Sequence, residues 1–177
     1  MSTLKTNAIQ TTSGKPILNS TGSVLQVVQS VYSGQFAATP GAGTFATLPI
    51  SLSITPQSTS SKILLTVDIY LGAQAYQTAL ACYRNGTMLI PGTASGVRPQ
   101  CSFYSNAYPS ASPQYQVIRV GGSILDSPST TSAVSYTFGA KDYAGYYILM
   151  NRGYQHQNTA DYDHIGSSTV TAMEISG

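Results

Sequence analysis

The chain is poor in charge. Of its 177 residues, 8 are Lys or Arg and 6 are Asp or Glu, so charged residues make up 8 % of the sequence, against about 25 % in ordinary soluble domains. The eight cations are scattered without a cluster or stripe and the net charge is +2, which argues against a nucleic-acid partner. With so few carboxylates, only Asp161 and Asp163 fall close together in sequence. There is no nucleophile-elbow motif and no ordered Ser-His-Asp set, so neither glycoside hydrolysis nor acyl transfer has its residues, and the chain is read as a non-enzyme with no cofactor. No apolar run approaches the ~20 residues of a membrane-spanning helix, so no membrane insertion is expected. The N-terminus lacks the apolar segment of a secretory signal, and synthesis in a cytoplasm is expected. Tryptophan is absent, and the two cysteines, Cys82 and Cys101, form no CxxC pair. They read best as two small buried residues, with a disulfide left open.

What is present is neutral and polar. Ser, Thr, Asn, Gln and Gly must cover most of the surface, together with 13 tyrosines. Tyrosine suits surfaces that are half apolar and half wet. Such a surface fits a protein locked into an assembly, or an exterior that binds neutral ligands.

The first 29 residues are mostly polar up to Gly22, broken by the isolated apolar residues Leu4, Ile9, Ile17 and Leu18. This segment buries too little apolar surface to order by itself, and its spaced apolar anchors predict an arm that docks on something else. Residues 30–177 are then expected to form one domain. Within it, period-2 alternation marks strands over residues 23–32, 46–55, 62–71, 79–84, 87–90, 117–120, 123–125, 132–138, 143–150 and 167–175. The clearest is KILLTVDIYL, with Ile63, Leu65, Val67, Ile69 and Leu71 on one face, which reads as a central strand. Pro49 makes residues 46–55 an edge strand, or one that starts just after it. Asn85-Gly86 is a two-residue hairpin signal. No stretch holds a 3.6-residue period, so the fold class is all-β, a jelly-roll-like β-sandwich carrying an extended N-terminal arm.

Two polar stretches resist strand assignment, residues 93–116 and 153–164, and both read as displayed loops. The first carries Tyr104, Asn106, Tyr108, Gln114 and Tyr115; the second carries Tyr154, His156, Asp161 and Tyr162. Aromatic faces beside amide, imidazole and carboxylate groups suit recognition of sugars. The same tyrosines also suit subunit contacts. His156, Asp161, Asp163 and His164 include metal-ligand types, but their spacing matches no established site, and a solvated loop is the better reading.

Three stretches carry a family resemblance: LKTNAIQTTSGKPILNSTGSVLQVVQSV (residues 4–31), ITPQSTSSKILLTVDI (54–69), and the pair LDSPSTTSAVSYTF (125–138) and SSTVTAMEIS (167–176). Together with Arg84-Asn85-Gly86-Thr87 and Asn151-Arg152, they resemble short tail-fibre and virion-fibre proteins of tailed phages, particularly those of marine and cyanobacterial hosts. The resemblance implies an arm docked on other virion proteins through Leu4, Ile9, Ile17 and Leu18. It also implies a homotrimeric knob similar to the heads of complement and tumour-necrosis-factor proteins, and attachment to a host cell-surface glycan at the virion surface. Capsid-decoration and collar proteins share the same motifs. The low-charge strand at 167–175 suits packing against copies of itself, with Glu174 the exception that needs a partner or solvent at the rim.

Overall fold

A computed structural model describes residues 21–73, 78–105, 116–142, 147–155 and 164–177. They form eleven strands: β1 (Val24–Tyr32), β2 (Phe36–Ala38), β3 (Ala46–Ile54), β4 (Lys62–Ala73), β5 (Thr78–Arg84), β6 (Thr87–Met88), β7 (Phe103–Ser105), β8 (Val117–Asp126), β9 (Val134–Asp142), β10 (Ile148–Met150) and β11 (Ser168–Ile175). The pairing is antiparallel throughout and divides the strands into two sheets. One sheet runs β1-β11-β4, with β8 on the far side of β4 and with β10 and β2 extending from β4's C-terminal end; the other runs β3-β9-β5, with β6 and β7 on β5. The architecture is a β-sandwich, and no helix occurs among the described residues.

The alternation read from sequence sets the core. Ile63, Leu65, Val67, Ile69 and Leu71 of β4 are fully buried against Leu80 and Cys82 of β5, Val134, Tyr136, Phe138 and Ala140 of β9, and Leu48, Ile50, Leu52 and Ile54 of β3. β4 is central, bordered by β11 and β10 on one side and β8 on the other. β3 is an edge strand containing Pro49, and its register with β9 shifts between Thr47 and Ser51, around the residue that has no N–H to donate. Asn85 and Gly86 both take positive φ, 46° and 86°, as a hairpin turn of the mirror-image type requires.

Several boundaries differ from the sequence reading. The sheet begins at Val24, inside the 1–29 segment assigned to the arm, because β1 pairs along β11 from Val24↔Ile175 to Tyr32↔Ser168. Residues 1–20, with Leu4, Ile9, Ile17 and Leu18, lie outside the described residues. The two short strands expected around Gly121-Gly122 are one strand, since Gly121 lies so close to β4 that a Cβ there would sit 1.9 Å from the Val67 carbonyl oxygen. β9 continues to Asp142 rather than stopping at Phe138. The short strands β2 and β7 were unforeseen in residues read as turn or loop.

Glu174 is not at a rim. It projects inward from β11, fully buried, and accepts hydrogen bonds from the Gln26 side-chain amide (2.6 Å) and the Gln57 backbone amide (2.7 Å). Burial pushes its carboxyl up, but the polar groups around it, with the Gln26 and Gln57 hydrogen bonds among them, outweigh this and hold it below the ordinary carboxylate value. A depressed folded-state pKa gives stability that is present above the unfolded value, ~4.3, and is lost as pH falls through the folded value. Glu174→Gln turns one acceptor into a donor facing donors. It should lower stability at pH 7 by about 2 kcal/mol, the range for hydrogen bonds to charged groups. Urea titrations should also show a shallower loss of stability below ~pH 4.5 for the variant than for the wild type.

A second brace joins the sheets nearby. Asp126 of β8 accepts a hydrogen bond from the Tyr136 hydroxyl (2.8 Å) and an ion pair from Arg84 Nη1 (2.7 Å), both from the opposite sheet. Burial, and then the Asp126 hydrogen bond, push the Tyr136 hydroxyl pKa above its ordinary value.

Candidate functional site

The described strand ends define two poles. At one, the chain enters beside the C-terminus, where Gly22 N–H donates to Ser176 O and Ser176 N–H to Ser23 O, each at 2.8 Å. Glu174, Asp126 and Lys62 belong to this pole. At the other lie the ends of β4, β5, β7, β8, β9 and β10, tied by the pairings Gly72↔Val117, Ala73↔Ile148, Thr78↔Asp142 and Thr78↔Ser105. β4 runs from pole to pole over 12 residues, about 36 Å at ~3.3 Å per residue.

Both polar loops read from the sequence are rooted at this second pole. The first, residues 93–116, is divided by β7; its latter part leaves after β7 and returns at Val117 beside Gly72. The second leaves past Arg152, whose carbonyl oxygen would lie 2.3 Å from a Cβ on Gly72. Tyr104 is 56 % exposed. Tyr154 is half-buried, its ring 5.6 Å from that of Tyr147 in a tilted pair. Asn106, Tyr108, Gln114, Tyr115, His156, Asp161, Tyr162 and Asp163 lie outside the described residues. His164 is exposed, and among the described residues no group of three His, Cys, Asp or Glu side chains converges as metal ligands would.

The second loop springs from a polar hub at Asn151, fully buried with φ 63°. Its side-chain amide donates to the carbonyls of Tyr32 and Gly34, both at 2.8 Å, while its Oδ1 accepts from Ser168 Oγ at 2.6 Å. Ser168 Oγ in turn accepts from the Tyr70 N–H (3.0 Å), and Asn151 N–H donates to Tyr70 O (2.9 Å). One residue thus ties the end of β1, the turn to β2, the last part of β4 and the start of β11.

On the flank of the same pole, the outer face of the five-stranded sheet holds a groove of about 600 Å³. Its floor is a cross-strand row, Tyr104–Ala79–Lys141, set by the registers β7·β5 and β5·β9. Residues paired in this way share a face. Val97, Arg98, Pro99 and Cys101 form one wall and Gly43 lies on the other side. The Lys141 ammonium stands 4.9 Å from the centre of the Phe45 ring, a cation–π contact. The segment carrying the wall is anchored at its two ends by Leu89 N–H to Cys82 O, Gly92 N–H to Cys101 O, Ser102 N–H to Leu80 O and Ser102 Oγ to Leu89 O. Of these residues, sequence reasoning found only Tyr104. A strand read as ending at Phe138 hides Lys141; continuing its alternation by three residues places Lys141 outward.

The cysteines are both free. Cys82 is buried in the core and Cys101 lines the outer groove. Burial pushes the Cys82 thiol up to about 12, with only partial relief from Ser102. Burial also raises Cys101, against the Lys141 charge. A thiol reagent at pH 8 should therefore modify at most one sulfur of the folded protein, Cys101, with Cys82 reacting only after denaturant is added. Labelling of Cys82 in native protein, read by peptide mass, would contradict the packing described.

No protein-family model matches the chain, and comparison with curated proteins gives no match either.

Proposed function

We propose that this protein is a bacteriophage virion component, a short fibre or adhesin docked by its N-terminal arm and presenting a β-sandwich knob for attachment to a host-surface glycan. The observation that carries this reading is the polarity of the domain. The arm joins at one pole, and the two tyrosine-bearing loops and the groove are rooted about 36 Å away at the other, by the ~3.3 Å rise per residue of β4. A head held by its base and contacting a surface with its tip needs that arrangement. The sequence resemblance to phage fibre proteins points the same way.

The knob is read as a jelly roll. The orders β1-β11-β4-β8 and β3-β9-β5-β7 interleave early and late strands in both sheets, as two Greek keys do. It is read as a homotrimer, which the outer face of the six-stranded sheet favours. The registers align Val27, Met173, Leu64 and Leu125 in one apolar row across four strands. Val27 is 56 % and Leu125 63 % exposed. The next row, Gln29–Thr171–Thr66–Ser123, is neutral. The charged pair nearby, Asp68 with Arg119, neutralises itself. Apart from Lys62 in the adjoining row, which is hydrogen-bonded to Ser127, such a face carries no net charge to repel its own copy. Three weak sites on one knob, repeated over a particle, would give strong avidity.

Light scattering tests the assembly: the wild type should run as three copies of the 18.6 kDa chain, and Val27→Asp/Leu125→Asp as a folded monomer. A wild-type monomer would refute the trimer. A second reading, a capsid-decoration or collar protein that touches only other virion proteins, is favoured by the Tyr147–Tyr154 pair, which engages one of the candidate recognition rings internally. Binding of purified protein to host cells, with competition against infection, decides between the two.

A further inference from the structure

The groove on the outer face of the five-stranded sheet has a chemistry that neutral-sugar attachment does not explain. It gathers Arg98 and Lys141 from a chain with only 8 Lys and Arg in total. Lys141 is 7 % exposed, its ammonium held over Phe45. Asp142 also borders the groove, but strand alternation turns its side chain to the inner side of β9, away from Lys141. Among the described residues, the acidic group on an outer sheet face, Asp68, belongs to the other sheet and is paired there with Arg119. Among the described lining residues, two cations thus stand against the one carboxylate of Asp142, and the groove is cationic on balance. Tyr104, the small residue Ala79, and the apolar wall of Val97 and Pro99 complete the lining.

We propose that this groove binds a uronic acid unit of an acidic polysaccharide, its ring against Tyr104 and Pro99 and its carboxylate directed to Arg98 and Lys141. Each part of the ligand class follows from a part of the groove. A planar guanidinium and an ammonium together recognise a carboxylate. An exposed aromatic face beside small apolar residues suits the C–H face of a pyranose. The volume, about 600 Å³, falls within the ~300–1,000 Å³ of small-molecule sites. A fatty acid would also offer a carboxylate, but the wall is open to water: Val97 is fully exposed, so an alkyl chain would remain largely wet. Backbone hydrogen bonds from Leu89 and Ser102 to β5 anchor both ends of the segment that carries the wall, which limits the ordering cost of binding.

The inference rests on the attachment reading and narrows it from glycan to acidic glycan. The test is calorimetric titration of the full chain at low salt with trimers of galacturonate, guluronate and mannuronate, with neutral maltotriose, and with acetate. At least one uronate trimer should bind saturably, with maltotriose at least tenfold weaker and acetate showing no saturation. Lys141→Met, which keeps the buried stem, and Arg98→Gln, on an exposed loop, should each weaken uronate binding at least fivefold. An unchanged melting temperature for Arg98→Gln makes its loss a direct effect. Equal binding of maltotriose, acetate binding as tight as uronate, full affinity in Arg98→Gln, or no uronate binding at millimolar concentration would each overturn the proposal. Wild-type and Arg98→Gln protein are also compared on host cells. Equal cell binding by both would remove the groove while leaving attachment intact. Uronate binding without any cell binding would support the groove and remove attachment.

Discussion

Asn151→Ala should lower the melting temperature by about 10–15 °C. The substitution removes the two hydrogen bonds to the Tyr32 and Gly34 carbonyls and the acceptor of the Ser168 hydroxyl, all at a fully buried position. Groups left without partners inside a protein cost about 1–3 kcal/mol each. Alanine must also hold the left-handed backbone, φ 63°, at roughly a further 1 kcal/mol. The total of about 4 kcal/mol converts at ~2–4 °C per kcal/mol for a chain of this size. Asn151→Asp should be worse at neutral pH. A carboxylate has no hydrogen to give the two carbonyls that the amide serves at 2.8 Å, and it adds an unpaired buried charge. The damage should also spread. The hub joins β1, β4 and β11 at the root of the second loop, so hydrogen exchange should accelerate over residues 147–155 and 164–170 before the core strands. Thermal melts of either variant within 3 °C of the wild type would show that the network contributes little.

The second large effect is at Gly121. A Cβ there would lie 1.9 Å from the Val67 carbonyl oxygen and 2.7 Å from its carbon, with φ at +155°. Both obstacles are backbone of the central strand, so nothing can rotate aside. β8 must separate from β4 along a ten-residue pairing, and Gly121→Ala should cost more than ~3 kcal/mol, the upper range for overpacking in a filled core. Its neighbour is the control. A Cβ on Gly122 would meet Phe103 Cε1 at 2.9 Å, the far end of a half-buried ring that can tilt. Gly122→Ala should therefore cost about 1 kcal/mol. Comparable losses in the two variants, measured by urea unfolding, would mean that the strand contact at Gly121 is looser than described.

These two positions also mark where the sequence could be read and where it could not. The alternation of KILLTVDIYL gives the central strand directly, because its inward face is entirely aliphatic. The β11 pattern and the Asn85-Gly86 turn are legible for similarly local reasons. Gly121-Gly122 suggests a break, since two glycines carry no side-chain pattern; that the strand runs on is decided by the partner's carbonyl, which sequence does not display. β2 and β7 are three residues each, too short to carry a period, and exist through their partners β10 and β5. The sequence places the arm boundary too late because Val24, Val27 and Val31 face outward, so the first strand lacks a wholly buried face. Asn151 reads as the start of a polar loop, and its role appears only when four distant segments meet. In the groove, Tyr104 is visible as a loop aromatic, whereas Lys141 and Arg98 come together only through the sheet.

A truncated chain beginning at Thr21 tests the proposed division of labour between the two poles. Cutting there keeps the Gly22–Ser176 tie and every core residue. Incorporation into particles lacking the protein and binding to host cells would be measured in parallel for truncated and full-length chains. The truncated chain should be a folded trimer that binds cells as well as the full chain and no longer joins particles. A truncated chain that still incorporates, or one that is folded but loses cell binding, would contradict that division of labour.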